Sequence, residues 1–167
     1  MKKILFDLLI MATIVVTIMF VYRVYGEQIQ YAVVGEQRPV MFVKSVPVAV
    51  TVADEDSERR QGLSGVKKLK ESHGMLFVFD KEDNYGMWMK DMHIPLDIIF
   101  INNQMEIVHI EQNVKPDTYP RTFASDESAR FVLEVNAFFS SNHSIQEGDA
   151  VTLPPGIIPR DLINVLQ

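Results

Sequence analysis

The chain has 167 residues, 47% of them apolar and 23% charged, which supplies one buried core and excludes a chain that is disordered over most of its length. A formal net charge of -6 argues against a broad electrostatic grip on nucleic acid. The absence of cysteine excludes disulfide scaffolds, thiol catalysis and thiolate metal sites.

The first residues, Met1, Lys2 and Lys3, precede an apolar stretch in which Leu8 to Tyr22 carries no charge. Counted over residues 4–25, the stretch reaches the roughly 20 residues that a spanning helix needs, with Asp7 and Arg23 near its two ends. Ile14, Val15, Val16, Ile18, Met19, Phe20 and Val21 leave no polar face for water, so a lipid bilayer is the expected partner of this segment. Lys2 and Lys3 place positive charge before the span, which holds the N-terminus in the cytoplasm and sends the remainder outward. Residues 1–26 therefore read as an uncleaved signal anchor in the cytoplasmic membrane; the alternative is secretion after cleavage near Gly26. Either way the rest of the chain is extracytoplasmic. Without Lys2, Lys3, Arg23 and Asp7 it keeps 13 basic and 21 acidic side chains, a net -8.

Residues 27–39 lack periodicity and suit a linker, and the globular domain is placed at 40–154 with a C-terminal tail at 155–167. Val46, Val48, Val50 and Val52 alternate with other residues and line one face of a strand, with Pro47 near its start because proline has no N–H to give a ladder. A helix follows: Asp54 is the expected cap, Glu55, Asp56 and Glu58 favour its positive end, Arg59 and Arg60 its negative end, and Gly62 its left-handed stop. Ion pairs one turn apart are expected between Glu55 and Arg59 and between Asp56 and Arg60.

Residues 74–79 are apolar at every second and every intervening position, as in a strand covered on both faces. Residues 85–92 form another candidate strand. Residues 96–101 and 106–111 form a hairpin about Asn102-Asn103-Gln104. Residues 114–128 read as one long polar loop, 130–135 as an alternating strand, and a final strand follows Gly148-Asp149 and stops at Pro154-Pro155-Gly156. The sum is an α+β domain, mostly antiparallel, with a compact barrel-like sheet and one or two short helices behind an N-terminal transmembrane helix.

The densest chemical segment is residues 85–97. On a strand, Met87 and Met89 face one way and Trp88 and Lys90 the other, which sets the one tryptophan beside a cation. Trp88, Lys90, Asp91 and Asp97 are the ligand-binding candidates: an indole gives stacking area and a lysine a donor, suited to a glycan or a peptide carboxylate. Two alternatives stand beside this. Asp97, Glu134 and His109, with Lys90, carry the acid–base chemistry of a hydrolase, although His109 beside Glu111 also fits a half-exposed sheet position. Met87, Met89 and His93 are a thioether and imidazole set for a cuprous ion, although methionines at alternate strand positions are ordinarily core filler. No cofactor is expected, and the leading expectation is a non-catalytic extracytoplasmic module that binds an envelope glycan or a protein partner.

Several blocks in order resemble one family. Arg60-Gln61-Gly62-Leu63, residues 74–79, Trp88-Met89-Lys90, residues 94–101, Val132-Leu133-Glu134 and the Gly148-Asp149 turn look like the successive motifs of domain-of-unknown-function family 192, over about residues 44–153. The chain departs from the family's usual residues at Ser64, where methionine is common, and at Asp91-Met92, where Asn-Thr is common. The resemblance implies a compact β-rich domain, often behind an export signal, and supplies no reaction.

Overall fold

The computed structural model describes Thr17, Met19, residues 38–154, Gly156 and Ile157. The anchor at 1–26 lies outside the described residues except for Thr17 and Met19, which are helical, as do the linker before Arg38 and most of the tail. Among the described residues no helix is long and apolar enough to cross a membrane.

The domain begins with a hairpin, β1 (Val40–Val43) and β2 (Val46–Ala53), with Pro47 opposite Phe42 and ahead of the first β2 residue that pairs onward. α1 (Asp56–Gln61) follows. Its N-cap is Glu55 rather than Asp54: Glu58 reaches back so that Oε2 accepts from the backbone N–H groups of both Asp54 and Glu55. Its ion pair is Arg59 with Asp56, 2.6 Å, in place of the two pairs expected from spacing. The helix ends at Gly62, whose φ of +49° and 3.4 Å approach to Phe77 suit a residue without a side chain.

β3 (His73–Asp83) runs parallel to β2, from Ala49 opposite His73 to Ala53 opposite Phe77. Periodicity alone does not reveal this pairing. Parallel neighbours need a crossover, and α1 with the segment after it supplies one. β4 is short (Met87–Trp88), so the strand expected over 85–92 shrinks to two residues and a turn. β5 (Leu96–Ile101) and β6 (Ile107–Val114) form the expected hairpin, in which Asn102 Oδ1 accepts from the N–H groups of Gln104 and Glu106. The stretch 114–128 is not structureless: it holds a 3-10 turn (Pro116–Thr118) and β7 (Thr122–Phe123), which pairs with β4. β8 (Ala129–Asn136), α2 (Phe139–Asn142) and β9 (Val151–Thr152) complete the domain.

Seven strands form one curled sheet in the order β6-β5-β8-β3-β2-β1-β9. Its ends meet, because Val151 N–H donates to Met105 O (2.8 Å) and Ile107 N–H to Asp149 O (3.0 Å), which ties the segment before β9 to the start of β6. The domain is mostly β, a curled half-barrel with two short helices among the described residues.

The central strands β3, β8 and β5 are covered on both faces. Val48, Val50, Leu76, Ile99, Phe131, Leu133 and Val135 pack on one face, and Phe77, Ile98, Phe100 and Val132 pack on the other with Leu63, Met87, Met89 and Met92. Val46 and Val52 also pack on the first face, so all four alternating valines of β2 share one side.

Asp97 lies on the first face with no exposure. Its carboxylate accepts backbone N–H groups from Asn113 (2.9 Å), Phe138 (3.0 Å) and Ser140 (2.9 Å). Asn113 and Phe138 both have positive φ, and α2 has no side-chain cap of its own, so one carboxylate from the neighbouring strand β5 holds a bulge in β6 and the start of α2. Asp97→Ala would leave three donors without an acceptor. It should lower the unfolding free energy by at least about 3 kcal/mol, since hydrogen bonds to a charged group contribute about 1.5–3 kcal/mol each. Urea unfolding of the variant beside the parent measures it, and a loss below about 1 kcal/mol would show that water replaces the clamp.

Candidate functional site

Strand parity decides which acid is available for chemistry. In the register between β5 and β8, Asp97 stands opposite Val135 and Ile98 opposite Glu134, so Asp97 and Glu134 point to opposite faces of the sheet. Glu134 sits between Met75 and Ile98 on the second face, 4% exposed. Gly74 brings β3 this close, since a side-chain carbon there would lie 2.8 Å from the Glu134 carbonyl oxygen.

Over Glu134 lies a cavity of about 190 Å³ between α1 and β4. Leu63, Phe77, Phe79, Met87 and Met92 give it apolar walls, Trp88 stands half-exposed at its opening, and Asp56, Arg59 and Arg60 bring charge from α1. Arg59 is fully engaged: it donates to Asp56 Oδ1 (2.6 Å), to Val78 O (2.7 Å) and to Asp54 O, and its guanidinium lies 5.5 Å from the Phe79 ring centre. Phe79 in turn stacks on Tyr85 at 3.6 Å, 9° from parallel. Arg59 and Phe79 thus form one wall of the cavity, with Tyr85 stacked on Phe79. Arg60 is exposed and has neither a hydrogen bond nor an ion pair among the described residues.

The two sides of the cavity are tied together. Ser64 Oγ donates to Lys90 O (3.0 Å) and Gly65 N–H to Asp91 O (2.9 Å), linking the loop after α1 to the turn after β4. One side-chain and one backbone hydrogen bond thus join the two sides of the cleft.

The residues singled out from sequence fall in different places. Trp88 lines the cavity; Lys90 and Asp91 are exposed beside it and hold the opposing loop through their carbonyl oxygens. Asp97 is buried on the far face and is saturated by backbone donors, so it shares no cleft with Glu134. His109 lies on β6 with Nδ1 3.0 Å from Glu147 Oε1 and Nε2 3.5 Å from Glu111 Oε1, bridging β6 to the turn that closes the sheet. Asp97, Glu134 and His109 therefore form no single centre. Met87 and Met89 pack in the apolar cluster of the second face, 8% and 1% exposed, while His93 lies on the exposed turn beyond them. Arg60, Phe79 and Met92 were not anticipated as site residues. The helix-end reading of Arg60 absorbed its charge, and nothing in the spacing placed α1 over β8.

Glu134 has no hydrogen-bond or ion-pair partner among the described residues, and burial alone pushes its carboxyl up to about 8. Near neutral pH the cleft therefore ends in a neutral acid that both donates and accepts. The unfolded chain releases this proton near 4.5, so between about 4.5 and 8 the folded state holds the extra proton and stability falls as pH rises, levelling above about 8. The slope is at most about 1.4 kcal/mol per pH unit. Glu134→Gln should abolish this descent, so the variant's stability advantage grows with pH in urea unfolding between about pH 5 and 8. Parallel curves for variant and parent would show a hydrated, ordinary carboxylate.

Comparison with known proteins adds a fold and a family. No curated protein matches the chain. A crystal structure from Sinorhizobium meliloti 1021, of a protein assigned as a candidate transcription regulator, is 30% identical with a TM-score of 0.64 and covers 71% of this chain and 98% of that one. A protein of unknown function from Novosphingobium aromaticivorans DSM 12444 is 27% identical with a TM-score of 0.64, covering 68% and 82%. The family model described as an uncharacterised ACR matches residues 40–153, which holds every strand from β1 to β9 and the whole cleft. The chain belongs to domain-of-unknown-function family 192.

Proposed function

We propose that this chain is a membrane-anchored extracytoplasmic binding module, non-catalytic, which takes an envelope component or a protein partner into the cleft between α1 and β4. One observation carries the reading: a carboxyl group that is 4% exposed and without a partner among the described residues ends a cavity whose opening is flanked by a half-exposed tryptophan. A carboxyl group that has no protein partner and opens onto a cavity is available to a hydrogen-bonding ligand.

The alternation of burial along residues 87–90 supports the outward-facing part of the site. Met87 and Met89 are buried while Trp88 and Lys90 are exposed, so the indole stands at the opening of the cavity with Lys90 exposed two residues on. The anchor and the export rest on the apolar run from Leu8 to Tyr22 behind Lys2 and Lys3.

Two measurements test the two halves. Alkaline phosphatase fused to the C-terminus should be active, as an enzyme that folds outside the cytoplasm; activity only of a cytosolic reporter at the same junction would overturn the topology. For binding, the full chain in detergent should co-sediment with purified cell-wall sacculi, and Trp88→Ala should weaken this at least about tenfold, as loss of a central aromatic contact does. The half-exposed side chain predicts an unchanged denaturation midpoint for that variant. A variant that unfolds would make Trp88 a core residue and remove the proposed face.

A further inference from the structure

The charges around the cleft have an order that selects a ligand. Every titratable or charged group lining the cavity comes from α1 or from β8: Asp56, Arg59 and Arg60 from the first and Glu134 from the second. β3 contributes Phe77 and Phe79, and β4 with its flanks contributes Gly86, Met87, Trp88 and Met92, none of which ionises. Asp56 and Arg59 neutralise each other at 2.6 Å. Two groups remain without a hydrogen bond or ion pair among the described residues: Glu134, the inner acid, and Arg60, an outer base whose charge also acts on Asp56.

From this arrangement we infer that the cleft binds a zwitterionic amine, an ammonium group directed to Glu134 and a carboxylate on the same molecule directed to Arg60. The inference rests on the reading of the cleft as a ligand site and names what fills it.

A simple cation has to pass the Arg60 charge, and a simple anion reaches an apolar pocket that ends in an acid. A molecule carrying both charges pairs with each group in turn. The walls suit the stem between them: Leu63, Phe79, Met87 and Met92 are apolar, and the Trp88 face stacks on methylene groups and attracts a cation on its way in. The cavity is small, about 190 Å³, so it admits a free amino acid or the amino-acid end of an envelope peptide and not a folded chain.

Proton balance gives the inference its signature. Glu134 holds its proton near neutral pH in the empty cleft, and an ammonium beside it favours the carboxylate, so binding expels that proton to solvent. A sugar, which hydrogen-bonds to the neutral acid, expels none. Affinity for the amine should therefore rise about tenfold per pH unit below about 8, the direction opposite to that for a ligand of the neutral acid.

The test is calorimetric titration of the full chain in detergent at pH 7, in two buffers of different ionisation heat, with glycine, 4-aminobutanoate and 6-aminohexanoate. Butylamine, butanoate and glucose serve as comparisons, and Trp88 emission is followed in parallel. At least one amino acid should bind with close to one proton released, and the best chain length reports the spacing of the two charges. Glu134→Gln should abolish the proton release and weaken binding at least about tenfold. Arg60→Ala, at an exposed position, should erase the preference for the amino acid over butylamine. Competition by the best free amino acid against sacculi would assign an envelope peptide as the source, and its absence would assign the free compound. Should glucose or butanoate bind better and shift Trp88 emission with no proton released, the ligand class falls while the binding module stands. Silence from every probe overturns the inference, and joined to a failure to hold sacculi it overturns the module as well.

Discussion

Strand alternation across β5 and β8 is the constraint on which everything else turns. Both strands lie inside the sheet and are buried on both faces, so each residue has only two directions and each direction is a different apolar environment. Asp97 and Glu134 are one position out of phase across this pair, and they end on opposite sides of a layer of backbone. The same residue class then has two fates. Asp97 meets three backbone N–H groups that need an acceptor, while Glu134 meets side-chain carbon and a cavity.

Environment, not residue type, separates those fates. A carboxylate that accepts several backbone donors stabilises the elements that supply them. Here those elements are the β6 bulge and the start of α2, both with residues in left-handed conformation that local sequence alone does not favour. A carboxyl without donors is destabilised as an anion and costs the fold increasingly as pH rises. In the proposed reading a ligand completes this group, and Glu134 rather than Asp97 is the acid that faces the cleft.

The elements covering Glu134 follow from topology. β2 and β3 are parallel neighbours, so the chain must cross from one end of the sheet to the other, and α1 rides on that crossover above the second face. β4 and β7 form a separate two-stranded ladder that covers the same face. The cleft is the space between these two covers, joined by Ser64 to Lys90 and Gly65 to Asp91.

Much of the architecture was readable along the chain, because period and punctuation are local physics. The four valines of β2, the helix ending at Gly62, the doubly apolar β3 and the asparagine-turned hairpin of β5 and β6 formed where their residues imply, although the helix is capped by Glu55 and paired through Asp56 and Arg59. What spacing left out is what pairs across distance: the parallel join of β2 to β3, the shrinking of the 85–92 strand to β4, and the recruitment of β7 from an apparent loop. The same division holds for the site. Alternation along residues 87–90 was enough to turn Trp88 and Lys90 outward, whereas the alternation of 130–135 set Glu134 among polar partners of a half-covered strand and β8 is instead buried on both faces. Only the tertiary structure set Asp97 behind the sheet, Arg60 at the cleft and Glu134 alone beneath it. Which face a strand residue shares with a residue forty positions away depends on register, and register belongs to the pair of strands rather than to either one.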